Sequence, residues 1–123
     1  MSKLTLQTDK KTFQNILKGE QKTERRSVYP TNAKRYVIEE DDVDENGEPI
    51  TTVTPIHYDE IEFVNGRRKD APRMTVEVVS SEFVILTDEE GNDLTFEENG
   101  EEFYVCQVWY TLGEIREKSN ITD

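Results

Sequence analysis

The sequence predicts a small α+β domain: a curled, mostly antiparallel β-sheet or barrel with one N-terminal helix packed across it. Three observations carry that prediction. Near the N-terminus, apolar residues recur at helical spacing, at Phe13, Ile16 and Leu17. From Arg35 onward they alternate instead, in about six to eight short runs. Turn residues separate those runs, and nothing between them reads as a domain linker. The 123 residues are therefore taken as a single domain, 1–123, large enough to bury one core.

Taken in order, Leu4 and Leu6 alternate with polar neighbours and suggest an opening strand. Thr8 or Asp9 then caps a helix that ends before Gly19, a residue suited to a left-handed C-terminal turn. Lys22 to Val28 reads as extended, and Pro30-Thr31-Asn32 as a turn. Tyr36-Val37-Ile38 leads into an acidic loop insertion over residues 39–49, and Ile50 to Thr54 returns as the hairpin partner. Tyr58 to Val64 puts Ile61 and Phe63 on one face, and Asn65-Gly66 marks the next turn. A second basic patch, Arg67 to Arg73, lies on a loop. Met74 to Ser81 alternates, while Phe83 to Thr87 and Leu94 to Phe96 flank the turn Asp88 to Asn92. Phe103 to Leu112 is the most apolar strand, and Trp109 and Tyr110 must point to opposite faces of it. The chain turns polar from Gly113, and residues 117–123 form a fraying tail.

Charge is distributed unevenly. Residues 1–36 hold nine Lys/Arg against three Asp/Glu, whereas the other 87 hold six against twenty-four, and the chain nets −12. That total opposes tight binding to duplex DNA, where affinity comes from neutralised phosphates. The basic N-terminal segment points to an anionic partner. No apolar run approaches the roughly 20 residues of a membrane span, so no membrane partner is expected. With no apolar leader at the N-terminus and a single cysteine, the expected compartment is the cytoplasm.

The segment from Gly19 to Arg26 carries most of the functional signal. A regular strand places Gln21, Thr23 and Arg25 on one side and Lys22, Glu24 and Arg26 on the other. A glutamate two residues from an arginine on one face can hold the guanidinium rigid toward a phosphate or a base edge. The competing structural reading is an exposed ion pair worth less than about 1 kcal/mol. Tyr29 and Tyr36 flank Lys34-Arg35, and tyrosines so placed either stack bases or simply half-bury on a strand.

Gly19, Glu24 and Arg26, behind the helix bearing Phe13, Ile16 and Leu17, resemble the GxKxxExR motif of the ASCH domains in the PUA-like superfamily. The likeness extends more loosely to Tyr58–Phe63, Val76–Val78 and the late aromatic strand. It implies a PUA-like fold that binds RNA or a nucleotide-like ligand in a cleft lined by Gly19, Gln21, Lys22, Glu24, Arg25, Arg26, Tyr29 and Arg35. Arg26 would anchor the anion, Glu24 would orient it, and Lys22 and Arg25 would assist. Some small ASCH proteins are similar to amidohydrolases acting on an acylated cytidine, with the motif lysine, a threonine and a glutamate in the chemistry. Here Gln21 stands at the lysine position and Glu24 at the threonine position. A glutamine cannot serve as a base, so binding is preferred to catalysis. An acidic adaptor that engages a protein through Glu39 to Glu48 is the remaining alternative.

Two further patterns carry less. Asp42-x-Asp44-x-Asn46-Gly47 copies half of a calcium loop, but the closing glutamate position is Val53, so no metal is expected. Cys106 and His57 would form a nucleophile pair only if both reached one cleft, and a cysteine on an apolar strand is ordinarily a small hydrophobe. No cofactor is expected.

Overall fold

The computed structural model describes residues 2–121. In chain order the elements are β1 (Lys3–Gln7), α1 (Lys10–Leu17), β2 (Thr23–Val28), α2 (Ala33–Tyr36), β3 (Val37–Val43) and β4 (Pro49–Pro55), then β5 (Glu60–Val64), β6 (Arg73–Ile85), β7 (Thr95–Glu98), β8 (Glu101–Tyr104) and β9 (Cys106–Ser119). Strand accounts for 56% of the structure and helix for 10%, which makes it a small, β-rich α+β fold. Five strands form a mixed sheet in the order β1-β5-β6-β9-β2, while β3-β4 and β7-β8 are separate two-stranded sheets. Among the described residues there is no closed barrel. The sheet also departs from the mostly antiparallel expectation at one edge, where β1 runs parallel to β5. A parallel pair cannot be joined by a tight turn, and here the whole stretch from α1 to β4 intervenes.

The chain divides into two compact units. The first comprises residues 1–24, 57–81 and 110–123, and its core is built in rows across the strands. Leu4 faces Ile61, which faces Val76; Leu6 faces Phe63, which faces Met74. All six side chains are buried, as the alternation around Leu4 and Leu6 predicts. Burying each contributes roughly 1.5–3 kcal/mol relative to exposure. From α1, Phe13 and Ile16 are buried too. Asp9 caps this helix by accepting the Thr12 amide at 2.7 Å. The far end closes as a Schellman turn: the Glu20 amide donates to Asn15 O and the Gly19 amide to Ile16 O, with Gly19 at φ +78°. Tyr110 and Leu112 of β9 complete the buried set.

β9 runs on to Ser119, so 117–119 belong to a strand rather than to a frayed tail. Arg116 fastens this extension by bridging Glu60 at 3.1 Å and Glu77 at 2.9 Å. Gly113 lies inside the same strand because a Cβ there would overlap Glu77 Oε1 and come within 3.0 Å of Val79 Cγ2.

The second unit comprises residues 25–56 and 82–109. Residues 39–43, expected as acidic loop, belong to strand β3. They pair in register with Pro49 to Val53, where the β-branched Ile50 to Val53 favour the extended state, so only Asp44 to Glu48 remain as a turn. Asp44 organises that turn: its side chain accepts the Asn46 and Glu48 amides at 2.8 and 2.9 Å. Tyr36 ends the short helix α2 instead of opening a strand. Asn99 and Gly100 both have positive φ and form a two-residue hairpin turn between β7 and β8, a signal that the sequence reading did not use.

Two expectations follow. Gly19→Ala places a side chain in the left-handed region without any clash, so the loss is conformational, about 1–2 kcal/mol. It should lower the urea midpoint and leave the m-value unchanged. In the second unit, the amides of Asn92 and Glu90 hold the Asp88 carboxyl below its ordinary range. A depressed folded value means that this stabilisation is present above the ordinary carboxylate value and lost as pH falls through the depressed one. Asp88→Asn should therefore lower Tm at neutral pH, and the gap from the parent chain should close on strong acidification.

Candidate functional site

The Gly19–Arg26 segment leaves the Schellman turn as an extended strand, yet its side chains take up different tasks. Gln21 Nε2 donates to Thr23 O at 3.0 Å, and Lys22 O accepts the Leu112 amide at 2.8 Å. Glu24 is buried, with 7% of its surface exposed. The Arg25 guanidinium stacks 4.1 Å above the ring of Trp109, whose Nε1 donates to Gln107 Oε1 at 2.7 Å. Trp109 and Tyr110 divide as their alternation requires, with Tyr110 fully buried and Trp109 half-buried under Arg25.

In the first unit, Gly19, Gln21 and Lys22 line a recess of ≈ 210 Å³ beside Leu112, Gly113 and Ile115. That is small against the several hundred Å³ that usually hold an organic ligand. The second unit carries a groove of ≈ 800 Å³. Tyr29 and Lys34 form one wall, Glu39 and Val53 of the β3–β4 hairpin another, and Phe96, Phe103 and Tyr104 of the β7–β8 hairpin a third. Local hydrogen bonds explain how the first wall is set. Asn32 Oδ1 accepts the Tyr29 amide at 2.7 Å and Asn32 Nδ2 donates to Ser27 O at 3.2 Å, clamping the turn between β2 and α2. Tyr29 meets Phe96 edge-to-face, centroids 6.0 Å apart, and Phe96 lies 5.6 Å from Phe103. Tyr29 remains 47% exposed and Tyr104 54%, which leaves aromatic surface facing solvent. Such rings are large apolar surfaces with a polar tip, suited to a flat ligand.

Of the residues expected to bind, Gly19, Gln21 and Lys22 therefore line the recess and Tyr29 lines the groove. Glu24, Arg25, Arg26 and Arg35 line neither; Arg35 sits 5.8 Å from the ring of Tyr36. Of the groove's other residues, the sequence puts Phe96, Phe103 and Tyr104 on strands and Glu39 in the acidic loop, with no local signal to bring them together.

Cys106 also lines the groove, where burial pushes its thiol up and Sγ donates to Tyr104 O at 3.4 Å. A protonated thiol is a poor nucleophile. His57 belongs to the first unit, has an exposed ring and pairs with Asp59 at 3.0 Å. The Ser2 amide and His57 together hold the Asp59 carboxyl below its ordinary range. Among the described residues no three His, Cys, Asp or Glu side chains converge as a metal site. Nor does any helix among them have the length and apolarity to cross a membrane.

Formal charge separates sharply between the units. The first holds eleven Lys/Arg and eleven Asp/Glu, whereas the second holds four against sixteen and so carries the whole −12. Comparison with protein-family models, with curated proteins and with solved structures found no match to this chain.

Trp109 is the sole tryptophan, so its contact with Arg25 has a clean readout. Arg25→Ala should shift and change its emission and cost about 0.5–1 kcal/mol of stability, the size of an exposed cation–π contact. Arg25→Lys should restore part of both. An unchanged spectrum in Arg25→Ala would remove the contact from the solution structure.

Proposed function

We propose that this protein is a binding module for a nucleotide-like ligand, and that the groove of the second unit is the site. One observation carries the reading. A groove of ligand size presents the half-exposed ring of Tyr29 against Phe96, with Lys34 on the same wall. A base stacks on the aromatic surface, and the lysine meets a phosphate or sugar oxygen. The likeness of Gly19, Glu24 and Arg26 to the ASCH motif supports the same ligand class. Gln21 spends its amide on the backbone and offers no titratable group, which favours binding over hydrolysis of an acylated cytidine.

A second reading is supported by surface character. Among the described residues, seven of the eight large exposed hydrophobics lie in the second unit, including Ile38, Val43 and Ile50 on its acidic hairpin. Apolar surface amid negative charge suits a basic protein partner, and this is the adaptor alternative.

Calorimetric titration with nucleoside monophosphates and short single-stranded RNAs separates these readings. Tyr29→Ala should weaken binding roughly tenfold to a hundredfold, the usual cost of a lost stacking platform, while Lys22→Ala changes it little. The reverse pattern would move the site to the Gly19–Arg26 segment, and an absence of binding by every nucleotide would favour the adaptor.

A further inference from the structure

The groove makes two demands that an ordinary nucleotide does not meet together. Its aromatic wall calls for a flat π-system. Its own lining holds one lysine and one glutamate, Lys34 and Glu39, while the unit around it holds four Lys/Arg against sixteen Asp/Glu, a field that favours a cation. Eleven of those sixteen acids lie on the two hairpins that supply the groove walls. On β3, Glu39 and Asp41 share the face that carries Thr51 and Val53, with Thr51 Oγ1 donating to Asp41 at 3.1 Å. On β7–β8, Glu97 sits directly opposite Glu102 and Glu98 opposite Glu101. Like charges directly opposed on a ladder destabilise it, so this hairpin gains from any nearby positive charge. A ligand with several phosphates meets repulsion here, and a neutral base gains from stacking alone.

We propose that the groove selects a nucleoside whose base carries a fixed positive charge, a ring-methylated purine being the chemical class. The inference rests on the nucleotide-binding reading of the same groove. A delocalised cation is attracted to the faces of Tyr29 and Tyr104 more strongly than a neutral ring of equal area. Glu39, which lines the groove, supplies the counter-charge and accepts a hydrogen bond from the ring's exocyclic nitrogen. Lys34, on the α2 wall, takes the ribose or a single phosphate. Charge on the ligand is thereby matched end to end: base toward the acidic hairpins, sugar toward the lysine.

The test compares 1-methyladenosine, whose base is cationic at neutral pH, with neutral adenosine, by calorimetry on the whole protein at low salt. Choline is included as a cation without a ring. The methylated nucleoside should bind about tenfold more tightly than adenosine, the scale of a partly desolvated cation–π contact. Glu39→Gln, at an exposed strand position, should weaken 1-methyladenosine binding several-fold more than adenosine binding and so cut that preference. Added salt should narrow the preference in the parent chain. Equal affinity for the two nucleosides would overturn the charge selection and leave the nucleotide-binding reading standing. Choline binding as tightly as 1-methyladenosine would overturn the requirement for a base. Binding of neither nucleoside would remove both readings.

Discussion

Parallel pairing of β1 with β5 is the constraint on which the first unit depends. It sets Leu4 beside Ile61 and Leu6 beside Phe63, and the antiparallel pairing of β5 with β6 extends each row to Val76 and Met74. Because side chains alternate faces, a slip of one residue in β1 would exchange Leu4 and Leu6 for Lys3, Thr5 and Gln7 on the buried side. Few registers of so short a strand satisfy the core, and this one does. The arrangement also requires the chain between β1 and β5 to leave the pairing and come back. That excursion carries the helix, the motif segment and the acidic hairpin. The excursion supplies Tyr29, Lys34 and Glu39 to the groove, whereas Phe96, Phe103 and Tyr104 come from β7 and β8 beyond it.

Electrostatics then partition along the same lines. The first unit is balanced, and its charged side chains are partly spent on structure, as Arg116 is on Glu60 and Glu77 and Arg73 on Glu62. In the second unit acids outnumber bases four to one, and several face one another across β7 and β8. Such a surface costs stability through self-repulsion, an expense that a partner of opposite charge offsets. The aromatic cluster of Tyr29, Phe96 and Phe103 has the complementary character: apolar, partly exposed and lining a groove. These two features, the acidic field and the partly exposed aromatic cluster, are the ones on which the proposed binding rests.

Local signals were legible in the sequence wherever the responsible interaction spans a few residues. Phe13 and Ile16 turned inward because their spacing matches the helical turn, and Asp9 and Gly19 closed the helix because caps are short-range devices. Tyr110 and Trp109 divided as alternation demands. The acidic stretch is not legible from its charge alone: pairing with Pro49 to Val53 turns residues 39–43 into strand. In the sequence Gly113 is only the point where the chain turns polar; in the structure it marks the close approach of β9 to Glu77 and Val79, a contact distant in sequence. Arg116, to which no local pattern assigns a partner, is bound to two carboxylates.

By itself the sequence determined the helix and its caps, the alternating strands, the strand-rich α+β character and the confinement of most positive charge to the N-terminal third. Each of these follows from residue type and spacing over one or two turns or strands. Only the tertiary structure decided that β1 lies parallel to β5, that the motif residues divide among different tasks, and that Tyr29, Glu39 and Phe96 line one groove. Those outcomes depend on pairings between segments tens of residues apart, whose register is set by the summed burial of whole strands.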